Sequence, residues 1–247
     1  MKLSTLSSAA IIAALTVGAL APTAALAAPT ELDSTGTVTI EEGGDQEVPG
    51  VVDPEDPDKP IDPTDPDNPI INPDLGALMI EATTNMNFGT VKTSANEVTA
   101  YAAPVAVTGG TRGNLVQWRD IRAGGTYGYT ITAELSQQFT GSGSNKLTGA
   151  TIDYSNGFVT AEGGNTNTAP SNVATAFQLT ESGGARTIVT ANQAAQEGKG
   201  RFVMAFGNSR EGTDANSVQL TIPAATASNM AVDTYTAKVT WKVTAAA

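Results

Sequence analysis

The side chains of this chain that could do chemistry are its carboxylates and its cations, because the chain contains neither histidine nor cysteine. Their absence excludes Ser-His-Asp triads, Cys-His pairs and metal sites built on histidine or thiolate. Two carboxylates alone can hydrolyse a glycosidic bond, and Asp120, Glu134 and Asp153 lie in strand-like segments. Their spacing singles out no pair, and aromatic residues are only 5% of the chain, sparse for a sugar cleft. We therefore expect no enzyme activity, no metal and no cofactor.

The negative charge of the chain is concentrated in one segment. The chain has 25 acidic and 13 basic residues. Residues 28–76 contain fourteen of the acids and one base, Lys59, whereas residues 77–247 contain eleven of each. Nucleic acid binding needs a clustered basic surface, so we expect no nucleic acid partner.

The first 27 residues have the pattern of a secretory signal peptide. Lys2 precedes an apolar run over residues 9–21, and Ala25-Leu26-Ala27 is a small-residue cleavage pattern. The run is roughly a dozen residues long, whereas a membrane-spanning helix needs about 20. We expect cleavage near Ala28, export and no membrane insertion. Exported domains of animals and plants usually contain disulfides, so a cysteine-free chain indicates a bacterial protein.

An acidic, proline-rich stretch divides the exported part. Prolines at 54, 57, 60, 63, 66 and 69 recur every third residue, which is the period of a polyproline II helix. The carboxylates between them repel one another. The pattern predicts a stiff, solvated linker over residues 51–75. It would separate an N-terminal segment, residues 28–50, with one possible strand at residues 35–40, from a domain over residues 76–247.

Residues 76–247 have the pattern of an all-β domain. Short alternating or apolar runs are separated by clusters of Gly, Asn and Ser, without convincing helical periodicity. We predict an antiparallel β-sandwich, Ig-like or related. The predicted strands lie near 77–82, 98–107, 114–121, 127–136, 149–154, 157–161, 175–180, 186–191, 201–206, 217–222 and 234–244.

Alternation is clearest in the last of these runs. Its apolar face holds Tyr235, Ala237, Val239, Trp241 and Val243, and its polar face holds Thr236, Lys238, Thr240, Lys242 and Thr244. One face is therefore expected in the core and the other in solvent. Residues 129–135 repeat the pattern, which suggests related strands in different parts of the sheet.

Several short motifs follow one another in a specific order. They are Gly76-Ala77-Leu78-Met79-Ile80, Phe88-Gly89, Asp120 with Arg122, the segments 147–152 and 220–223, and a terminal segment that contains Trp241. Together with the signal peptide and the Asp-Pro stretch, they resemble the WxL domain proteins, cell-surface proteins of Gram-positive bacteria, over almost the whole chain. The two name-giving Trp-x-Leu motifs are altered, to Tyr129-Thr130-Ile131 and to Trp241-Lys242-Val243.

The resemblance implies a function at the cell surface. It implies noncovalent attachment to the cell wall by the folded C-terminal domain, with peptidoglycan or another wall polymer as the ligand. It also implies work in an assembly with co-encoded surface proteins. An alternative is an adhesin or assembly subunit that binds a protein partner through its β-sheet, with little direct wall binding. A sheet edge or residues 35–40 would then dock by strand addition.

The candidate contacts with the wall or a partner are Trp118, Asp120, Arg122, Tyr129, Lys238, Trp241 and Lys242. Aromatic rings are amphipathic surfaces on which sugars stack, although Trp241 shares its face with valines, as a core residue does. Asp120 and Arg122 lie two apart on one strand face, where they can pair with each other or bind a polar ligand. The two lysines lie on the outward face of the last strand and can meet anionic wall groups.

Overall fold

The computed structural model describes residues 34–44 and 50–246, and the predicted signal peptide lies outside these ranges. Besides strands, the described residues form a 3₁₀ turn at Ser209–Glu211 and one short helix, α1 (Ala224–Ala227). The strands are β1 (Val52–Asp53), β2 (Asp56–Pro60), β3 (Ile70–Ile71), β4 (Leu78–Thr83), β5 (Val98–Tyr101), β6 (Val105–Val107), β7 (Gly110–Arg112), β8 (Asn114–Asp120), β9 (Tyr129–Thr140), β10 (Thr151–Tyr154), β11 (Gly157–Ala161), β12 (Asn172–Val173), β13 (Phe177–Thr180), β14 (Arg186–Ala191), β15 (Gly200–Phe206), β16 (Val218–Ile222) and β17 (Thr236–Ala245).

The structure confirms the predicted all-β, antiparallel class. Every strand pair among the described residues is antiparallel, and each strand predicted in residues 76–247 has a counterpart. The run predicted at 98–107 is divided into β5 and β6. Pro104 lies between them, and a proline cannot donate a ladder hydrogen bond.

The strands form three larger sheets and two hairpins. The five-stranded sheet has the order β11-β15-β8-β4-β3, the β10 sheet has the order β13-β10-β16-β5, and the β9 sheet has the order β12-β14-β9-β17. The hairpins are β1-β2 and β6-β7. The two altered Trp-x-Leu motifs lie side by side, because β17 pairs directly with β9 and places Val243 opposite Ile131. The prediction that these strands occupy different parts of the sheet is therefore wrong.

The main core lies where the inner faces of the three larger sheets meet. The five-stranded sheet contributes Trp118 and Phe202, the β10 sheet contributes Ile152 and Leu220, and the β9 sheet contributes Ile131. Each of these side chains is at most 4% exposed. The inward side chains of β17 are half-buried against the same core, so the last strand covers one margin of it.

A second, smaller core covers the opposite face of the five-stranded sheet. Leu115 on β8 and Val203 on β15 point away from the main core and pack there with Val51, Val52 and Ile61. All seven residues of β8 are therefore buried. A central strand with two apolar faces must be packed against other residues on both sides. Residues 51–61 pack against the second face of β8.

The structure corrects the predicted solvated linker. Residues 50–61 form β1 and β2 and are fastened to the five-stranded sheet and its loops. The Gln117 side chain accepts a hydrogen bond from the Val52 N–H (2.7 Å) and donates one to the Gly50 carbonyl (3.1 Å). Arg112 forms a two-pronged ion pair with Asp53, with both N···O distances 2.6 Å. Apolar burial and charge pairing therefore outweigh the repulsion expected from the acidic composition.

The residues predicted as one N-terminal strand have no strand partner in this structure. Residues 34–43 form neither helix nor strand, and residues 34–42 are exposed. The described chain divides after Ile40 into two units, of which the second, residues 41–247, contains all the sheets. A lone run of six residues has nothing with which to share backbone hydrogen bonds, so alternation alone does not make it a strand.

Candidate functional site

Two of the predicted aromatic contacts are interior residues. Trp118 and Tyr129 are both 0% exposed. The Trp118 indole N–H donates a hydrogen bond to the Tyr129 hydroxyl at 2.6 Å, and the Trp118 ring stacks on Phe202 with centroids 6.1 Å apart. Burial raises the pKa of the Tyr129 phenol. In this arrangement neither ring can stack on a polymer, and each satisfies the polar atom of the other.

Asp120 and Arg122 bind each other. The Arg122 guanidinium donates to both Asp120 oxygens, at 2.9 and 2.7 Å, and the Lys199 ammonium adds a bond at 3.2 Å. Burial alone would raise the pKa of the Asp120 carboxyl, but the hydrogen bonds from Arg122 and Lys199 outweigh it and hold this pKa below its usual value. Arg122 also donates to the Gly128 carbonyl at 3.0 Å. The cluster therefore ties the loop between β8 and β9 to the end of β8.

Trp241 belongs to an aromatic cluster at the margin of the main core. Its ring lies 6.1 Å from Tyr154, 6.3 Å from Phe177 and 6.2 Å from Phe206 between centroids. The side chain is half-buried. Trp241 therefore holds β17 against the β10 sheet while part of its surface lines a cleft.

That cleft, called the β17 cleft below, has a volume of about 1080 Å³. One wall is the segment 83–93, which has no regular structure after β4. The other wall is formed by residues 236–239 and Trp241 of β17. Its apolar lining includes Phe88, Phe139, Ile152, Leu220 and Trp241. Lys92, Asp233 and Lys238 are its only charged lining residues in the described part of the chain. Phe88 and Lys92 were not predicted as site residues, since the irregular segment that bears them gives no periodic signal.

The outward face of β9 and β17 is polar. Lys238 and Lys242 are exposed there, and Lys242 lies opposite Thr132 while Thr240 lies opposite Glu134. The Ser136 and Thr240 hydroxyl oxygens are 2.7 Å apart. Among the described residues no ion pair involves either lysine. We call this surface the lysine face; it offers two ammonium groups among hydroxyl groups and one carboxylate, that of Glu134.

The carboxylates considered for glycosidase chemistry do not converge in the β17 cleft. Asp120 is held by Arg122, Asp153 accepts a hydrogen bond from Gln178 at 2.8 Å, and neither these two nor Glu134 line the cleft. Asp233 does line it, and hydrogen bonds from Ser142 and Asn145 lower its pKa. Glycosidases need a pair of carboxyl groups across the bond that is cleaved, whereas this cleft has one.

Residues 34–44 and 50–246 contain neither a metal-binding cluster of acidic side chains nor a membrane-spanning helix. No cluster of three acidic side chains in these ranges could hold a metal ion. No helix in these ranges is both long and apolar enough to cross a membrane.

Comparison with known proteins identifies the family. A family described as WxL domain surface cell wall-binding matches residues 27–246. The comparisons with curated proteins and with solved structures gave no match. The family match spans most of the chain, and the family is non-catalytic. The chain therefore belongs to the WxL domain surface cell wall-binding family, and it is a noncovalent cell-wall binding protein of the cell surface.

Proposed function

We propose that the wall polymer is peptidoglycan and that the lysine face of β9 and β17 makes the contact. The observation that carries the proposal is the exposure of Lys238 and Lys242 on one flat strand face, with hydroxyl side chains between and beside them. Of the seven residues predicted as contacts, these two are the exposed ones. Tyr129 lies on the inner side of β9, where its hydroxyl accepts a hydrogen bond from Trp118.

The chemistry of the lysine face suits a polymer of amino sugars and short acidic peptides. Ammonium groups donate to carboxylates, and threonine and serine hydroxyls both donate and accept, as sugar hydroxyl and amide groups require. Residues four apart along a strand are roughly 13 Å apart. The two lysines can therefore engage successive acidic groups of an extended polymer, each contact being weak and open to screening by salt.

The test is co-sedimentation of the full chain with purified, protein-free peptidoglycan. The double variant Lys238→Glu/Lys242→Glu is expected to bind about tenfold more weakly at low salt, because two attractive contacts become repulsive. Lys59→Glu/Arg210→Glu makes the same change of charge at two exposed sites on other surfaces, and it should bind as the parent does. Equal losses in the two double variants, both with unchanged melting temperatures, would overturn the proposal.

A second candidate function is binding of a protein partner within a surface assembly. The observation that favours it is the position of β17 at the end of the β9 sheet, with β9 as its one hydrogen-bonded neighbour among the described strands. An edge strand presents unpaired backbone groups to which a partner strand can bind. A partner that binds in this way would be captured with peptidoglycan absent.

We propose further that the chain is exported through a signal peptide and that its sheets form a sandwich. Export by a signal peptide at residues 1–27 is supported by the sequence pattern and by the cell-surface location of the family. An Ig-like or related sandwich is supported by antiparallel sheets that share one core. N-terminal sequencing of the secreted protein tests the predicted cleavage near Ala28.

A further inference from the structure

We propose that residues 35–40 of a second copy of this chain add as a strand to the free edge of β17 and place their apolar side chains in the β17 cleft. The resulting contact links copies head to tail. The proposal concerns the edge of β17, which adjoins the lysine face at Lys238, and it goes beyond wall binding.

The donor is the segment Thr35-Gly36-Thr37-Val38-Thr39-Ile40. Val38 and Ile40 are each 79% exposed, although large aliphatic side chains are the residues most often buried. They alternate with threonines, the pattern of a strand with one apolar and one polar face. The segment thus has the composition of a sheet strand and no strand partner among the described residues.

The acceptor is the edge of β17. The β17 cleft is lined by Ala237, Val239 and Trp241, which point inward, and also by Thr236 and Lys238, which point outward. Side chains of both faces can border one cleft only where the cleft runs along the edge of the strand. The backbone groups of this edge are therefore presented to the cleft, with an apolar lining beneath them.

The donor and the acceptor agree in length and pattern. The donor has six residues, and the five β17 residues that line the cleft fall within residues 236–241, a span of six. In β17 threonine and lysine point outward and apolar residues point inward. An added strand keeps the same alternation, so the threonines of the donor continue the polar face while Val38 and Ile40 enter the cleft.

The charges of the two surfaces are complementary. Glu41 and Glu42 follow the donor directly and are exposed. Lys92 and Lys238 line the β17 cleft together with one acid, Asp233, whose carboxylate already accepts hydrogen bonds from Ser142 and Asn145. Complementary charges beside an apolar contact favour the correct partner and its orientation. This feature favours a copy of the same chain over an arbitrary apolar peptide.

The geometry of such a contact has a consequence for assembly. The donor and the acceptor are different surfaces, so the contact is heterologous and does not close on itself as a two-fold dimer does. Each copy bound by its donor still offers its own cleft to a further copy. Self-association should therefore extend with concentration to chains or rings.

Cross-linking tests the contact, and the natural absence of cysteine makes it specific. One sample carries Thr39→Cys and the other Thr240→Cys, both at outward positions that leave the apolar contact intact. Mixed and treated with a short bismaleimide, they should form a mixed dimer. Replacing the acceptor by Ser182→Cys, in the exposed turn between β13 and β14, should reduce the yield about tenfold, the factor expected when a specific contact is absent.

Donor variants provide the matched comparison. Both donor variants keep the cross-linking Thr39→Cys. Val38→Asp/Ile40→Asp places two charges against an apolar lining and should lower the cross-linked yield about tenfold or more. Thr35→Asp/Thr37→Asp places the same two charges outward and should lower it far less. Both donor variants should still co-sediment with peptidoglycan, since the lysine face is unchanged.

Three results would overturn the proposal. The first is an equal yield with the Thr240→Cys and Ser182→Cys acceptors, and the second is an equal effect of the two donor variants. The third is a cross-link that forms within a Thr39→Cys/Thr240→Cys double variant but never between the single variants. The last result would assign the donor to its own chain.

Discussion

The Trp118 indole donates a hydrogen bond to the Tyr129 hydroxyl at 2.6 Å in the interior of the protein. The bond joins β8 of the five-stranded sheet to β9 of the neighbouring sheet. Both residues are candidates for sugar contacts from the sequence, and both instead connect two sheets. The alteration of the first Trp-x-Leu motif to Tyr129-Thr130-Ile131 thus provides a hydroxyl that the core uses.

Removing this hydroxyl should destabilise the fold. Tyr129→Phe is expected to lower the free energy of unfolding by about 1–3 kcal/mol, because the buried Trp118 N–H loses its acceptor. Urea denaturation measures the change. Tyr235→Phe removes a hydroxyl that bonds the Ala231 carbonyl in an exposed setting, and it should cost at most about 0.5 kcal/mol. Equal costs in the two variants would show that the interior bond has no special role.

The Asp120 carboxyl should contribute stability that depends on pH. Its pKa in the folded protein lies below the usual value, whereas in the unfolded chain it is about 3.9. The stabilisation is therefore fully present above about pH 4 and is lost as the pH falls through the folded pKa. Asp120→Asn should be less stable than the parent at pH 7, and the difference should shrink between pH 4 and pH 2. Parallel curves of unfolding free energy against pH would contradict this.

The second core, in which Ile61 packs against the five-stranded sheet, should contribute measurably to stability. Ile61 is 7% exposed and belongs to the second core, so Ile61→Ala is expected to cost about 2–5 kcal/mol. Ile71 is 43% exposed, and Ile71→Ala should change the unfolding free energy by about 0.5 kcal/mol or less. Both positions lie in the stretch that the sequence predicts as a solvated linker. Small and equal effects at both sites would restore that prediction.

A side chain at position 198 should destabilise the fold because Gly198 lies against Tyr129. Its φ is +90°, and a Cβ there would come within 2.6 Å of the Tyr129 ring. Gly164 has a φ of +80° with open space around it. Gly164→Ala should cost about 1–2 kcal/mol from the backbone alone, and Gly198→Ala about 1–3 kcal/mol more from the close contact. Thermal unfolding ranks the two variants, and equal melting temperatures would refute the contact.

The sequence predicts the strands well where alternation carries the information. In β17 the period of two assigns Val239 and Trp241 to one face and Lys238 and Lys242 to the other, and the structure has the same division. The pattern cannot tell which strand lies beside β17, because pairing with β9 is a long-range choice without a local signal. It also cannot separate a half-buried Trp241 from a fully buried Trp118, since exposure depends on what covers the sheet.

The linker shows a second limit of sequence patterns. Polyproline II and β-strand backbones occupy neighbouring regions of φ and ψ, so the proline period fits an extended spacer and a docked strand equally well. Val51, Val52 and Ile61, which flank the charged residues, were the available signal. A second signal was the run of apolar residues on both faces of β15. Such a run indicates a sheet that must be packed against other residues on both of its faces.

Co-sedimentation of the full chain with protein-free peptidoglycan in increasing urea tests most directly whether the folded domain itself is the noncovalent wall anchor. We expect binding in buffer, weakening with salt, and release over the same urea range in which tryptophan fluorescence reports unfolding. A chain that stays in the supernatant at every salt concentration, or that stays bound after complete unfolding, would contradict the claim.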